Sequence, residues 1–235
     1  MESEKSKPLI VALDFSSLDE SLIFLGKIDP NLCRVKIGKQ LFVNEGPAAV
    51  KKVCGLGFEV FLDLKFHDIP HTVRAACLAA AELGCWMVTV HASGGRAMLE
   101  TASNAYANLR APPLLVGVTI LTSLSETQLS EVGYSGSLQG NVEQLAILSQ
   151  SSGLDGVVCS PIELALLTSV TPDNFLLVTP GVRFQGDNHD DQTRISTPEE
   201  ALGNGADYLV MGRSIVSSTN PVERISLIND LSANN

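Results

Sequence analysis

The sequence predicts a (β/α)8 TIM barrel, and three observations favour that fold class. Eight short apolar runs alternate with segments of helical periodicity along the 235 residues, as expected for parallel strands buried beneath helices. Ionisable residues end several of these runs, where such a barrel carries its active site. An open doubly wound sheet would favour a GxGxxG turn after its first strand, and residues 14–17, DFSS, lack it. We therefore expect one closed-barrel domain over residues 1–235.

Each predicted strand is a short apolar run, and the first three carry charged residues at or near their ends. Asp14 closes the first run, and Lys36 lies in the second between Val35 and Ile37, which point the opposite way. The third run opens the stretch 61–70, FLDLKFHDIP. The predicted strands are residues 9–14, 33–38, the start of 61–70, 86–92, 114–121, 156–160, 175–180 and 207–212.

The segments between the strands have the apolar spacing of helices. Ser17 is suited to cap the first helix, which has Asp19 and Glu20 in its first turn. Further helices are predicted at about residues 47–54, 69–83, 96–109, 126–131 and 142–150. The longest connection without a regular pattern is residues 181–196, and its length predicts a lid.

Composition limits the partners and the compartment. A net charge of −10 and a pI near 4.8 oppose binding to a phosphodiester backbone, so we expect no nucleic-acid partner. The N-terminus is polar, and no apolar run approaches the roughly eighteen residues that span a bilayer, so we expect no membrane association. The five cysteines lack CxxC spacing and lie in apolar patterns, which predicts buried free thiols and a cytoplasmic protein.

The stretch 61–70 places charges at the end of an otherwise apolar strand. Asp63 and Lys65 lie two residues apart, so they share a face of the strand, with Leu62 and Leu64 on the other. Burying such ions costs several kcal/mol each unless they are paired. A structural explanation is an ion pair together with Asp68 capping the next helix. The functional explanation is an acid–base site.

The rest of the barrel favours the functional explanation. One charged residue at a strand end is commonly structural, whereas several of alternating sign at one barrel mouth indicate a site with coupled titrations. The residues expected at this mouth are Asp14, Lys36, Asp63, Lys65 and Thr122.

The last two units predict a phosphate site. Residues 179–183, TPGVR, follow strand seven, and Gly212 and Arg213 follow strand eight. Barrels of this type often bind phosphate there, using backbone N–H groups and a cation. Gly212 permits close backbone approach, and Arg213 can pair two oxygens, although a solvated arginine at a helix start is the alternative.

Neither histidines nor acidic residues indicate a metal site. His67 and His91 have no second ligand at suitable spacing, so hydrogen-bonded or structural roles are expected for both. Asp187, Asp190 and Asp191 lack the spacing of a calcium loop and are expected to be solvated. We expect no metal and no cofactor.

Together these motifs resemble the orotidine 5′-phosphate decarboxylase family in its bacterial form. Asp63-x-Lys65-x-x-Asp68, within DLKFHDIP, resembles the family's catalytic motif. The resemblance extends from Leu9 to Arg213 through ALD, VKIG, VHASGG, LTS, VTPGVR and MGR, in that order.

The resemblance implies a homodimer with shared active sites that converts orotidine 5′-monophosphate to uridine 5′-monophosphate in de novo pyrimidine synthesis. It implies that Asp63, Lys65 and Asp68 surround the reacting C6, with Asp68, Ile69 and Thr72 supplied by the partner subunit. The remaining implied contacts are Asp14 and Lys36 to the ribose, Thr122 and Ser123 near the base, Pro180, Arg183, Gly212 and Arg213 at the phosphate, and Gln192 between base and phosphate.

Two other functions remain open at this point. A related sugar-phosphate decarboxylase, of the type that acts on 3-keto-gulonate 6-phosphate, is expected to use a divalent metal and an acid where this chain has Lys36. An ammonium group does not ligate a metal at neutral pH, which opposes that alternative. A non-catalytic nucleotide-binding barrel would need Arg213 and the lid but not the charges of Asp63, Lys65 and Asp68.

Overall fold

In a computed structural model, which describes residues 7–187 and 196–233, eight parallel strands form a closed barrel in sequential order. The predicted fold class is confirmed. Strand β1 pairs with both β2 and β8, which closes the ring. The strands are β1 Leu9–Ala12, β2 Arg34–Gly38, β3 Val60–Phe66, β4 Met87–His91, β5 Leu114–Val118, β6 Gly156–Val158, β7 Leu176–Pro180 and β8 Tyr208–Met211.

Helices follow the strands and cover the outside of the barrel. They are α1 Leu18–Leu25, α2 Lys39–Glu45, α3 Pro47–Cys54, α4 Pro70–Glu82, α5 Arg96–Ala105, α6 Glu126–Glu131, α7 Leu138–Ser151, α8 Leu164–Val170, α9 Pro198–Gly203, α10 Arg213–Val216 and α11 Pro221–Ala233. Ser17 caps α1 as predicted, since its side chain accepts a hydrogen bond from the Glu20 N–H. In the described residues, no helix combines the length and apolar character needed to cross a bilayer.

Several predicted bounds were wrong in ways that matter for the site. Strand β1 ends at Ala12 and β5 ends at Val118, so Asp14 and Thr122 lie in the connections beyond their strands. Helix α2 was not predicted, because it buries only Leu41 and has no side-chain N-cap to mark its start. Helix α10 is four residues long and begins at Arg213.

Alternation along the strands produces two apolar layers. In β1, Leu9 and Val11 face the large cluster between barrel and helices, whereas Ile10 and Ala12 face the barrel interior. The interior layer is completed by Phe61, Met87, Val116, Val178 and Val210. Large side chains therefore fill the middle of the barrel, as expected for a packed core and not a pore.

The amino-terminal end of the barrel is closed by Arg34. Its guanidinium lies 4.3 Å from the centre of the Trp86 ring and 5.1 Å from that of Tyr208, and its Nε lies 3.2 Å from Glu59. These contacts hold the cation between aromatic faces and a carboxylate. Space for a ligand is consequently left at the opposite, carboxyl end of the strands.

Candidate active site

A cavity of about 280 Å³ opens at the carboxyl ends of the strands, and we call it the mouth cavity. Barrels of this type carry their active sites at this end. Its lining brings together many residues that the sequence singled out: Asp14, Lys36, Asp63, Lys65, Thr122, Pro180, Arg183, Gly212 and Arg213.

Four of these side chains form a chain of alternating charges, called here the charge network. The Lys36 Nζ lies 3.3 Å from the Asp14 Oδ1 and 3.8 Å from the Asp63 Oδ2. The Lys65 Nζ donates to both Asp63 oxygens at 2.7 Å. Each cation therefore faces a carboxylate, and Asp63 stands between the two ammonium groups.

Asp63 is held ionised by its surroundings. Burial alone would raise the pKa of its carboxyl, but the charges of Lys65 and Lys36, with hydrogen bonds from Lys65 and Thr89, lower that pKa below the usual value. The Thr89 Oγ1 donates to the Asp63 Oδ1 at 3.1 Å. At neutral pH the site therefore contains a fixed negative charge beside the Lys65 ammonium.

Lys65 has an unusual backbone conformation. With φ at 55°, it is the only non-glycine residue of positive φ in the part of the chain that the structure describes. Strand pairing with β4 also shifts register between Leu62 and Phe66. Such a conformation costs about 1–3 kcal/mol, so its surroundings must hold it in place. The Lys65 N–H donates to the Thr89 Oγ1 at 2.8 Å, which contributes to that support.

Thr89 also belongs to the candidate site, although it was not predicted from the sequence. It is fully buried in the middle of β4, and its hydroxyl joins the Lys65 backbone to the Asp63 carboxylate. The available signal was a single hydroxyl within the apolar run MVTVH. That signal is weak, because threonine is also a common strand residue.

His91 lies beside the charge network, and its ring packs against that of His67 at a centroid distance of 5.3 Å. Burial, followed by the charges of His67 and Lys65, lowers the pKa of His91 to about 4. His91 is therefore neutral at pH 7. Within residues 7–187 and 196–233, no group of three or more histidine, cysteine, aspartate or glutamate side chains is arranged to hold a metal ion.

The predicted phosphate residues lie on the β7 and β8 side of the mouth cavity. Arg183 is 8% exposed, and its Nη1 donates to the Val182 carbonyl at 2.8 Å. A Cβ placed at Gly212 would lie 3.3 Å from the Asp14 Oδ2, a tight contact that glycine avoids. Arg213 begins α10, and both arginines also line a second cavity of about 270 Å³.

Four other predicted residues lie outside the mouth cavity: Asp68, Ile69, Thr72 and Ser123. All are exposed, and Ile69 is 67% exposed despite being apolar. The Asp68 carboxylate accepts a hydrogen bond from the Ile69 N–H at 2.7 Å, but the N-cap of α4 is Ile69 and has no side-chain cap. The alternative that Asp68 caps this helix is therefore wrong.

The connection after β7 gives one further correction. Asp187 was expected to be solvated, but its carboxylate pairs with Arg224 at 3.1 Å and its side chain is 17% exposed. Arg224 lies in α11, and nothing in the local sequence indicates this contact. Gln192, Asp190 and Asp191 lie outside the described residues, as does half of the predicted lid at 181–196.

The cysteines are free thiols, as predicted. Four of them are buried, and Cys54 is half-buried. Burial raises the pKa of Cys33 and Cys85 to about 12, so both thiols are protonated at neutral pH.

Comparison with known proteins decides the family. The family model described as "Orotidine 5′-phosphate decarboxylase / HUMPS family" matches residues 7–228. The chain belongs to this family. The match covers all eight strands, the charge network and the predicted phosphate residues Arg183 and Arg213.

Curated members of the family are similar over nearly the whole chain. An orotidine 5′-phosphate decarboxylase of Neisseria meningitidis serogroup A is 50% identical over 227 residues, covering 96% of this chain and 92% of the relative. One from Chromobacterium violaceum is 49% identical over 228 residues, covering 97% and 92%. In both comparisons the aligned region contains the mouth cavity.

Solved structures give the same result for the fold. The crystal structure of orotidine 5′-phosphate decarboxylase from Lactobacillus acidophilus has a TM-score of 0.87 at 35% identity, covering 96% of this chain and 99% of that chain. An uncharacterized conserved protein from Geobacillus kaustophilus has a TM-score of 0.83 at 38% identity, covering 96% and 100%. The family barrel is thus shared over its full extent.

Proposed function

We propose that the chain converts orotidine 5′-monophosphate to uridine 5′-monophosphate and CO₂, a step of de novo pyrimidine biosynthesis. The observation that carries the proposal is the Lys65 ammonium, which lies 2.7 Å from both oxygens of Asp63 in the mouth cavity. The curated family members support it by name and by identity near 50%.

The chemistry of this decarboxylation explains why such a network is needed. When the bond between C6 and the carboxylate breaks, the electron pair remains on C6 in an in-plane sp² orbital that cannot delocalise into the ring. The substrate therefore has no electron sink of its own, and stabilisation must come from fixed charge. Lys65 provides a positive charge and then donates a proton to C6, after which water can return a proton to the lysine.

The other members of the charge network support that step. Asp63 holds the Lys65 ammonium in position and balances its charge, while Lys36 keeps Asp63 paired on its other side. We assign Asp14 and Lys36 to the ribose hydroxyls, because both reach the cavity beside the reacting centre. Thr122 and Ser123 are assigned to the base.

Phosphate binding is assigned to the β7 and β8 side of the mouth cavity. Gln192, which lies between β7 and β8 in the sequence, is assigned as a further contact. Arg183 and Arg213 provide charge, and Pro180 and Gly212 provide the surrounding surface. Binding energy from a group remote from C6 can be used to stabilise the transition state. This arrangement suits a nucleoside 5′-monophosphate.

We further propose a homodimer in which Asp68, Ile69 and Thr72 complete the partner's site. All three side chains are exposed, and Ile69 is apolar. An exposed apolar side chain among them supports a subunit contact surface at the start of α4. Because a two-fold dimer repeats every contact, both sites would be completed in the same way. We also propose one domain for residues 1–235 and a cytoplasmic location, which suits the free cysteines.

A sugar-phosphate decarboxylase is the second candidate, since the family description includes the HUMPS group. Lys36 opposes it, because its ammonium occupies a position between Asp14 and Asp63 where a metal-dependent enzyme would need a ligand. A non-catalytic nucleotide-binding barrel has no use for a largely shielded carboxylate between two lysines, which is costly to maintain.

The experiment that tests the proposal follows orotidine 5′-monophosphate by absorbance with purified protein and no added metal. We expect turnover that a chelator leaves unchanged, with uridine 5′-monophosphate as the product. Turnover of 3-keto-gulonate 6-phosphate that the chelator abolishes would support the second candidate instead. Binding of uridine 5′-monophosphate without any turnover would support the non-catalytic barrel.

A further inference from the structure

Arg224 makes contacts that the proposed reaction does not use. It lies in α11, outside the barrel strands, yet it lines the second cavity together with Arg183 and Arg213. Its Nη1 lies 3.1 Å from each carboxylate oxygen of Asp187 and 2.5 Å from the carbonyl oxygen of Ser214. One guanidinium thus contacts two separate segments of the chain.

Those two segments are the ones that carry the predicted phosphate-binding arginines. Phe184 and Asp187 follow Arg183 in the connection after β7, and the Arg224 guanidinium lies 4.9 Å from the centre of the Phe184 ring. Ser214 follows Arg213 directly in α10. Through these contacts, Arg224 connects the segment that follows β7 to the segment that follows β8.

We propose that Arg224, paired with Asp187, is a positioning residue that fixes Arg183 and Arg213 relative to each other for binding the substrate phosphate. The inference rests on the proposed function, which supplies the phosphate. Two cations that bind one phosphate must be held to within about 0.5 Å of the binding geometry, and supporting groups commonly set such geometry.

The residue types suit this role. A planar guanidinium can donate to a carboxylate and a carbonyl while its face stacks on an aromatic ring, whereas a lysine ammonium cannot make all three contacts. The pair is also partly shielded from water, with side-chain exposures of 32% for Arg224 and 17% for Asp187. Screening by solvent is therefore weaker than for a surface pair.

Asp187 provides the means to separate positioning from direct anion binding. If Arg224 only attracted the phosphate, Asp187→Asn would remove a nearby negative charge and strengthen binding of a dianion. If the pair positions Arg183 and Arg213, the same substitution breaks the pair and weakens binding. The two explanations therefore predict changes of opposite sign.

The experiment measures binding of uridine 5′-monophosphate and of uridine by calorimetry. The variants are Arg224→Ala, Arg224→Lys, Asp187→Asn and the double variant, with Arg213→Ala for loss of a direct contact and the exposed Arg110→Ala as a charge-matched control. We expect Arg224→Ala and Asp187→Asn each to weaken binding of uridine 5′-monophosphate by about tenfold to a hundredfold and to leave binding of uridine unchanged. The loss in each should be at least as large as that in Arg224→Lys. The double variant, Arg224→Ala with Asp187→Asn, should lose no more affinity for uridine 5′-monophosphate than either single variant does.

The same proteins are assayed for turnover of orotidine 5′-monophosphate, so that the inference and the proposed function fail separately. Wild-type protein that binds uridine 5′-monophosphate without turnover would contradict the function, while the binding series would still decide the role of Arg224. Unchanged or tighter nucleotide binding by Asp187→Asn would overturn the inference. Equal losses for nucleotide and nucleoside would also overturn it, because they would indicate a general structural role.

Discussion

Lys65→Ala should lower kcat for orotidine 5′-monophosphate by at least about 10⁴-fold, because it removes both the cation facing C6 and the proton donor. The 2.7 Å contacts to both Asp63 oxygens show that this ammonium is held closely against a carboxylate in the mouth cavity. Removing it leaves the Asp63 carboxylate beside the position where negative charge develops, which adds repulsion to the loss. Steady-state kinetics over a wide range of enzyme concentration measure the effect.

A matched control separates this loss from a loss of folding. Lys52→Ala removes an exposed lysine from α3 and should leave kcat unchanged. Lys65→Ala itself should retain the circular dichroism of the wild type and still bind uridine 5′-monophosphate. A rate within tenfold of the wild type, a barrier change of only about 1.4 kcal/mol, would exclude Lys65 as the proton donor.

Mixing inactive Lys65→Ala and Asp68→Ala chains should restore about a quarter of wild-type activity. If Asp68 completes the partner's site, a mixed dimer has one site with both substitutions and one intact site. Random re-pairing of equal amounts makes half of the dimers mixed, and half of their sites are intact. The exposed position of Asp68, outside the mouth cavity of its own barrel, is the structural reason for this expectation.

The mixing experiment requires proof that subunits exchange, for example by mass spectrometry of differently tagged chains. Each variant alone and a mixture of Lys65→Ala with Lys65→Ala carrying the second tag serve as baselines. Exchange without recovery above these baselines would show that Asp68 acts on its own barrel or not at all.

The fold could be predicted from the sequence because the strands are continuous apolar runs, and such runs at regular spacing have few alternatives. The bounds were less predictable. Strands β1 and β5 end before Asp14 and Thr122, because the buried apolar pattern continues through residues such as Leu13 and Ile120 that lie beyond the strands themselves. Helix α2 could not be predicted from apolar spacing, because it buries a single residue.

The site was predictable where neighbouring residues in sequence carry it, as with Asp63 and Lys65. It was not predictable where contacts join distant segments. Thr89 reaches Asp63 from the next strand, and Arg224 reaches Asp187 from the last helix. The left-handed backbone of Lys65 also has no local signal, because lysine seldom adopts it and only tertiary contacts hold it.

The central claim is that Lys65 stabilises and protonates a C6 carbanion, and exchange of the C6 hydrogen of uridine 5′-monophosphate tests it most directly. By microscopic reversibility, the group that protonates C6 also removes that hydrogen, so incubation in D₂O should place deuterium at C6. Proton NMR of the recovered nucleotide measures the exchange. We predict exchange with the wild type and none with Lys65→Ala. Wild-type protein that turns over orotidine 5′-monophosphate without exchanging C6, or Lys65→Ala that exchanges C6 at the wild-type rate, would contradict the claim.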